Sequence, residues 1–163
     1  MGPAEPMNNL SFNSNSDMMT LSVPKLHDDG SNWPDYQSRI ERVMGSKGLW
    51  RHVLGSAIVP RPYMLLEGIP VLADKKTEAT DKQIEAREIK IIDFEKKEYL
   101  TQHIILLTTS THLRSKIKEL KTLKEMWEVV VADATTKSTL FLLDAEEQLM
   151  SMKLIDNQDP KFT

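Results

Sequence analysis

The chain has 163 residues, of which 40% are hydrophobic and 28% are charged, and its formal net charge is −3. This composition is typical of a globular domain and excludes collagen-like and wholly disordered chains. Acidic residues outnumber basic ones, so the charge of the whole chain does not favour binding to nucleic acid or to an anionic membrane surface.

The sequence contains no cysteine, which excludes disulfides, thiol nucleophiles and zinc sites that need thiolate ligands. No apolar run approaches the length of about 20 residues that crosses a bilayer. The first cationic side chain is that of Lys25, so the N-terminus lacks the basic segment that opens a secretory signal. We therefore expect a soluble, cytoplasmic protein without a membrane partner.

The first half of the chain predicts an arm, two helices and a loop. Residues 1–24 are rich in Asn and Ser and almost free of charge, which predicts a flexible arm. Apolar residues at helical spacing from Trp33 to Met44 predict a first helix, and a short second helix around Trp50 ends at Gly55. Prolines within residues 56–79 predict a long loop that contains a small hairpin.

The second half predicts four more helices. Thr80 begins a long helix that runs to about Thr109, with apolar residues at intervals of seven and eight. A short helix follows over residues 113–120, and Thr122 with Glu125 forms the capping box of the next helix. A last helix is predicted over residues 137–153.

These elements predict an all-α fold, a compact bundle of about five to six helices. Apolar and aromatic residues on the helix faces are the expected core. The aromatic and aliphatic residues assigned to it are Trp33, Tyr36, Trp50, Ile92, Tyr99 and Trp127.

No motif in the sequence predicts catalysis or cofactor binding. The four histidines form no paired metal-binding motif, and the six glycines form no phosphate-binding loop. Asp28 and Asp29 beside Gly30 fit a turn before a helix better than a catalytic pair. His103, on the apolar face of the long helix, fits a core or interface position better than a metal site. We therefore expect no catalytic residue, metal, cofactor or small-molecule substrate.

One basic cluster is a candidate for RNA contact. Its members are Arg114, Lys116, Lys118 and Lys121. A charge cluster of this kind is more often a solvated helix face, because aromatic side chains that would stack on bases are absent from it.

The last predicted helix carries more apolar residues than one neighbouring helix would cover. The candidate contact residues on it are Phe141, Leu142, Leu149 and Met152. An exposed apolar surface of this width indicates contact with another polypeptide. A second copy of the chain or a further lobe is the simplest cover, so the sequence predicts a homodimer or a higher oligomer.

Three ordered motifs resemble the Gag polyprotein of copia-type (Ty1/copia) LTR retrotransposons. The first comprises Pro-Lys-Leu at 24–26, Asp-Gly-Ser-Asn-Trp at 29–33 and Lys-Gly-Leu-Trp-Arg-His-Val at 47–53. The second is Thr-Leu-Lys-Glu-Met-Trp at 122–127, and the third is Leu-Met-Ser-Met-Lys-Leu at 149–154. The resemblance covers about residues 24–155.

The resemblance implies an all-helical capsid protein that self-associates into a virus-like particle around the RNA of the element. It implies no catalysis by this segment. It divides the chain into a disordered arm (1–24), a capsid N-lobe-like domain (25–134) and a linker helix that starts a second lobe (135–163). The Cys-Cys-His-Cys zinc knuckle of many such polyproteins is absent, since the chain has no cysteine.

Two other functions remain open at this point. One is a domesticated, Gag-derived adaptor that binds a peptide or a protein near Trp33 and Trp50. The other is a small helical RNA-binding module that uses the basic cluster of residues 114–124.

Overall fold

The computed structural model describes residues 23–158, and this part of the chain contains five helices and one two-stranded hairpin. The elements in chain order are α1 (Trp33–Ser46), α2 (Trp50–Val53), β1 (Met64–Leu66), β2 (Ile69–Val71), α3 (Asp81–Thr108), α4 (Thr111–Ile117) and α5 (Leu123–Gln158). The predicted all-α bundle is therefore confirmed. Most of the predicted arm, residues 1–22, lies outside the described residues.

The turn before α1 is held by its own polar side chains. The Ser31 backbone N–H donates to Asp29 Oδ1 at 2.9 Å, and Asn32 Nδ2 donates to the Lys25 carbonyl at 2.9 Å. Gly30 has a φ of +71°, in the left-handed region that favours glycine. The Asp-Asp-Gly-Ser segment is a helix-entry turn, as predicted. Trp33 is the first helical residue, and Asn32 precedes it at the cap position.

Two capping boxes set the start of the longest helices. Thr80 Oγ1 accepts from the Gln83 backbone N–H at 3.2 Å, and Gln83 Oε1 accepts from the Thr80 N–H at 2.9 Å. The predicted box before α5 is present as well, with 3.2 Å between the Glu125 amide nitrogen and Thr122 Oγ1. Each box satisfies two backbone donors that the first helical turn leaves unpaired.

The core lies where α1, α2 and α5 meet the second half of α3 and the short α4. Trp127 is at the centre of an aromatic cluster, with ring centroids 6.1 Å from Trp33 and 5.6 Å from Trp50. The Trp50–Trp127 contact is edge-to-face, a favoured arrangement for aromatic pairs. Of the predicted core residues, Trp33, Tyr36 and Trp127 are buried, and Trp50 packs on the core while partly exposed.

The prediction that two residues of α3 lie in the core is wrong. Ile92 is 44% exposed and Tyr99 is 72% exposed. α3 contacts the body through the face that carries Thr101, Ile104 and Ile105, and Ile92 and Tyr99 lie on the opposite face. His103, which we expected in the core or at an interface, is also exposed on this outer side.

α5 was predicted as two helices, and this prediction is wrong, because one continuous helix runs from Leu123 to Gln158. No Gly or Pro interrupts the sequence between the two predicted segments. The buried face of α5 ends at Ser138, and every residue from 139 to 157 is exposed. We call residues 139–157 the stalk; at 1.5 Å per residue it extends roughly 28 Å beyond the body. The lobe boundary predicted at 134/135 falls inside this helix.

Candidate self-association surface

The stalk carries nine large apolar side chains that are each between 42% and 70% exposed. They are Leu140, Phe141, Leu142, Leu143, Leu149, Met150, Met152, Leu154 and Ile155. No side chain of the described body covers them. Exposed apolar surface at this density marks a site of contact with another molecule.

The predicted contact residues continue the face by which α5 packs on the body. At about 100° per residue, Phe141 and Met152 project in the same direction as the buried Trp127 and Ala134. Leu142 and Leu149 lie beside them on the same stripe. We call Phe141, Leu142, Leu149 and Met152 the contact stripe. The structure therefore brings all four predicted residues onto one exposed surface.

A second apolar stripe runs along the other side of the stalk. It consists of Leu140, Leu143, Met150 and Leu154, all of which are exposed. The spacing of these residues, three, seven and four positions, is itself helical. With apolar surface on two opposite sides, the stalk has room for more than one neighbour.

The polar positions of the stalk are mainly acidic. Residues 139–157 hold four carboxylates against the single cation Lys153, a net charge of −3. Asp144 and Glu146 lie along the two edges of the contact stripe. Gln148 Nε2 donates to Asp144 Oδ2 at 3.1 Å, and within residues 23–158 no carboxylate of the stalk forms an ion pair. The stalk thus combines exposed apolar side chains with carboxylates that have no ion-pair partner in residues 23–158.

The basic cluster predicted to contact RNA is largely occupied by partners within the chain. Arg114 Nε donates to the Leu106 carbonyl at 2.7 Å, and Lys116 Nζ lies 3.0 Å from Asp133 Oδ1. Burial opposes ionisation of Asp133, but hydrogen bonds from Lys137 and Lys116 outweigh it and lower the pKa of this carboxyl. Lys118 lies 4.0 Å from Glu119, and Lys121 lines a small cavity beside Glu98. Lys116 and Lys118 therefore have less unpaired charge than the sequence suggested, whereas Arg114 and Lys121 form no ion pair within residues 23–158.

A groove between α2, the following loop and α3 has a volume of about 390 Å³. We call it the basic groove, after the cations Arg51, Lys90 and Lys97 that line it. Ile58, Pro60 and Phe94 supply apolar walls. Sequence reasoning missed this site because its residues come from three separate segments.

The buried His52 lines the basic groove and pairs with Glu98, which is partly exposed and lies outside the lining. His52 Nδ1 lies 2.6 Å from Glu98 Oε1, and the His52 ring lies 4.8 Å from that of Phe94. His52 is buried, and this contact fastens α2 to α3.

The aromatic residues proposed as an adaptor groove do not form one. Trp33 is buried, and its ring contacts those of Tyr36 and Trp127. The ring of Trp50 likewise packs against that of Trp127, in a T-shaped contact. A peptide would have to displace this cluster to reach the ring of Trp33.

Within residues 23–158, no group of three or more His, Cys, Asp or Glu side chains is placed to hold a metal ion. In the same part of the chain, no helix is long and apolar enough to cross a membrane. Comparison with known proteins gave no match to a family model, to a curated protein or to a solved structure.

Proposed function

We propose that this protein is a structural, self-assembling Gag-type capsid protein of a copia-type retrotransposon, which forms virus-like particles around the RNA of the element. The observation that carries the proposal is the stalk, a helix with nine exposed large apolar side chains that no part of the described body covers. The resemblance of the three motifs to copia-type Gag supports the same function. The proposal assigns no catalysis to the chain and places assembly in the cytoplasm.

The size of the contact stripe suits weak, repeated contacts. Complete burial of an exposed Leu, Phe or Met side chain contributes about 1.5–3 kcal/mol. The four side chains of the contact stripe are roughly half exposed, so burying what remains contributes roughly 4 kcal/mol per molecule. Association itself costs about 4–15 kcal/mol. One contact is therefore weak, and a stable shell needs many copies that each hold several neighbours.

The test is the mass of the protein in solution as its concentration rises. Replacing Phe141→Asp together with Leu149→Asp puts two charges into the contact stripe, and we expect the oligomer mass in light scattering to fall to that of the monomer. The matched control is Ser151→Asp with Asn157→Asp, which adds the same charge at two exposed polar positions of the stalk. We expect this control to associate as the unmodified protein does.

Three outcomes separate the possibilities. An unmodified protein that stays monomeric at every concentration, with no particles in electron microscopy, contradicts the proposed function. An oligomer that survives the double substitution in the contact stripe, with helicity unchanged in circular dichroism, contradicts the choice of surface. Particles that form without RNA and then retain added RNA support the whole proposal.

A second candidate function is the domesticated adaptor, and the basic groove favours it over the RNA module. A groove of about 390 Å³ with three cations fits an acidic peptide segment. An adaptor acts as a monomer, so electron microscopy of the chain expressed alone distinguishes the two functions.

A further inference from the structure

We infer that the stalk of one molecule docks into the basic groove of a second copy, so that the copies join head to tail. The inference rests on the proposed function and deepens it, because it names the surface that the contact stripe meets. Two properties support it: the groove and the stalk have opposite net charges, and both expose apolar side chains.

The basic groove has unpaired positive charge in a chain whose net charge is negative. Lys97 Nζ is held by Asp93 Oδ2 at 2.9 Å, and these two charges compensate each other. Arg51 and Lys90 also line the groove, and neither forms an ion pair with any residue from 23 to 158. The groove therefore keeps a net charge of +2, from three cations against one carboxylate.

The positive surface continues along α3 beyond the groove. Arg87 lies one turn before Lys90, and its Nη1 donates to the Arg61 carbonyl at 2.9 Å. The same guanidinium stacks 4.4 Å from the centre of the Tyr63 ring. These contacts hold the loop against α3 and consume hydrogen-bond donors, but they leave the charge of Arg87 uncompensated. The loop also leaves Ile58 and Val59 exposed beside the groove.

The stalk has the complementary properties. It presents the contact stripe, and the carboxylates of Asp144 and Glu146 flank that stripe. An apolar and basic surface meets an apolar and acidic one, so the contact buries hydrophobic area and pairs charges at its rim. RNA would satisfy the cations but would leave Ile58 and the contact stripe exposed.

A molecule cannot place its own stalk in its own basic groove. Gly55, which ends the α2 segment, lies beside Lys124 near the start of α5, where an added Cβ would be 3.2 Å from Lys124 Cδ. The stalk begins 15 residues further along the same unbroken helix, roughly 22 Å away and directed outward. The contact must therefore form between molecules. Because it joins two different surfaces, it produces closed rings, of which a dimer with reciprocally exchanged stalks is the smallest, or open chains.

A charge exchange between the two surfaces tests the inference. The groove variant is Arg51→Glu with Lys90→Glu, and the stalk variant is Asp144→Lys with Glu146→Lys. We expect each variant alone to sediment as a monomer, because its altered surface repels the native surface of a neighbour. We expect an equal mixture of the two to recover the sedimentation of the unmodified protein, since every contact in the mixture can pair opposite charges.

The matched control for the groove variant is Lys82→Glu with Lys96→Glu, the same change in charge at exposed positions of α3 outside the groove. We expect this control to assemble as the unmodified protein does. If the groove variant loses helicity, the neutral pair Arg51→Gln with Lys90→Gln replaces it, and its association should then weaken. Association of the unmodified protein should also fall as salt concentration rises.

The outcomes distinguish failure of the inference from failure of the proposed function. A groove variant that assembles normally overturns the inference and leaves self-assembly through a stalk-to-stalk contact standing. A groove variant that assembles but no longer retains RNA identifies the groove as an RNA site and also overturns it. A mixture that stays monomeric overturns the inference too. An unmodified protein that never associates overturns the proposed function together with the inference.

Discussion

Gly30 lies against the backbone of Ser138, so closely that a Cβ at position 30 would stand 2.8 Å from the Ser138 amide nitrogen. The turn before α1 thus packs on α5 at the last buried residue, where the body ends and the stalk begins. The same Cβ would meet Lys137 Cβ at 2.9 Å. This contact fixes the direction in which the stalk leaves the body.

Gly30→Ala should destabilise the protein strongly. The left-handed φ of +71° costs an alanine about 1–2 kcal/mol, and the backbone contact with Ser138 adds to this, so we expect a loss of about 2–4 kcal/mol in the free energy of unfolding. Urea denaturation measures it. Gly48→Ala is the matched control, because Gly48 has a φ of +70° and no atom within 4 Å of an added Cβ. A loss no larger at Gly30 than at Gly48 would contradict the close packing.

Tyr36, which is buried, forms a hydrogen bond with Thr108 that should make stability depend on alkaline pH. Their hydroxyl oxygens are 2.8 Å apart, and burial raises the pKa of Tyr36 to about 12. Because the pKa of Tyr36 is higher in the folded state than in the unfolded chain, the stabilisation that comes from its neutral hydroxyl is complete below pH 10. It is lost as the pH rises toward 12. The full loss is about 2–3 kcal/mol.

Urea midpoints measured from neutral pH to about pH 11 test this dependence. Tyr36→Phe removes the titrating hydroxyl and the hydrogen bond, so we expect it to cost about 1 kcal/mol at neutral pH and to flatten the alkaline decline. An equally steep decline in Tyr36→Phe would show that another group is responsible.

The outer face of α3 should tolerate polar residues, in contrast to the sequence prediction. Ile92→Lys and Tyr99→Ser replace exposed side chains, and we expect each to change the free energy of unfolding by at most about 0.5 kcal/mol. Ile104→Ala, on the buried face of the same helix, should cost about 2–5 kcal/mol. Comparable losses on both faces would show that α3 is covered on both sides in the monomer.

This contrast shows what the sequence could predict and what it could not. The capping boxes at Thr80 and Thr122 are local arrangements of a few residues, so the sequence contains everything that defines them. α3 carries apolar residues on two opposite faces, and its periodicity cannot say which face the body covers. The choice depends on contacts with α2 and α5, which come from other parts of the chain.

The same contrast between features defined within one segment and features that depend on the fold applies to the candidate sites. The four residues of the contact stripe were predicted because they lie within twelve positions of one helix. The basic groove was missed because Arg51 and Lys90 are separated by a proline-containing loop, and only the fold brings them together. One signal was available and overlooked: the absence of Gly and Pro through residues 132–139 favours a single helix over two.

Hydrogen exchange along α5 should depend on protein concentration in the stalk and not in the body. An exposed helical end without tertiary contacts opens easily, because most helical stability in proteins comes from packing. In dilute solution we expect fast exchange for residues 141–155 and slow exchange around Val130 and Ala134, which are buried. As the concentration rises, association covers the contact stripe, and protection of residues 141–155 should increase while that of the body stays constant. Phe141→Asp with Leu149→Asp should abolish the increase. Slow exchange of the stalk at every concentration would mean that some part of the chain covers it within one molecule, and the self-association surface would then have to be sought on the outer face of α3.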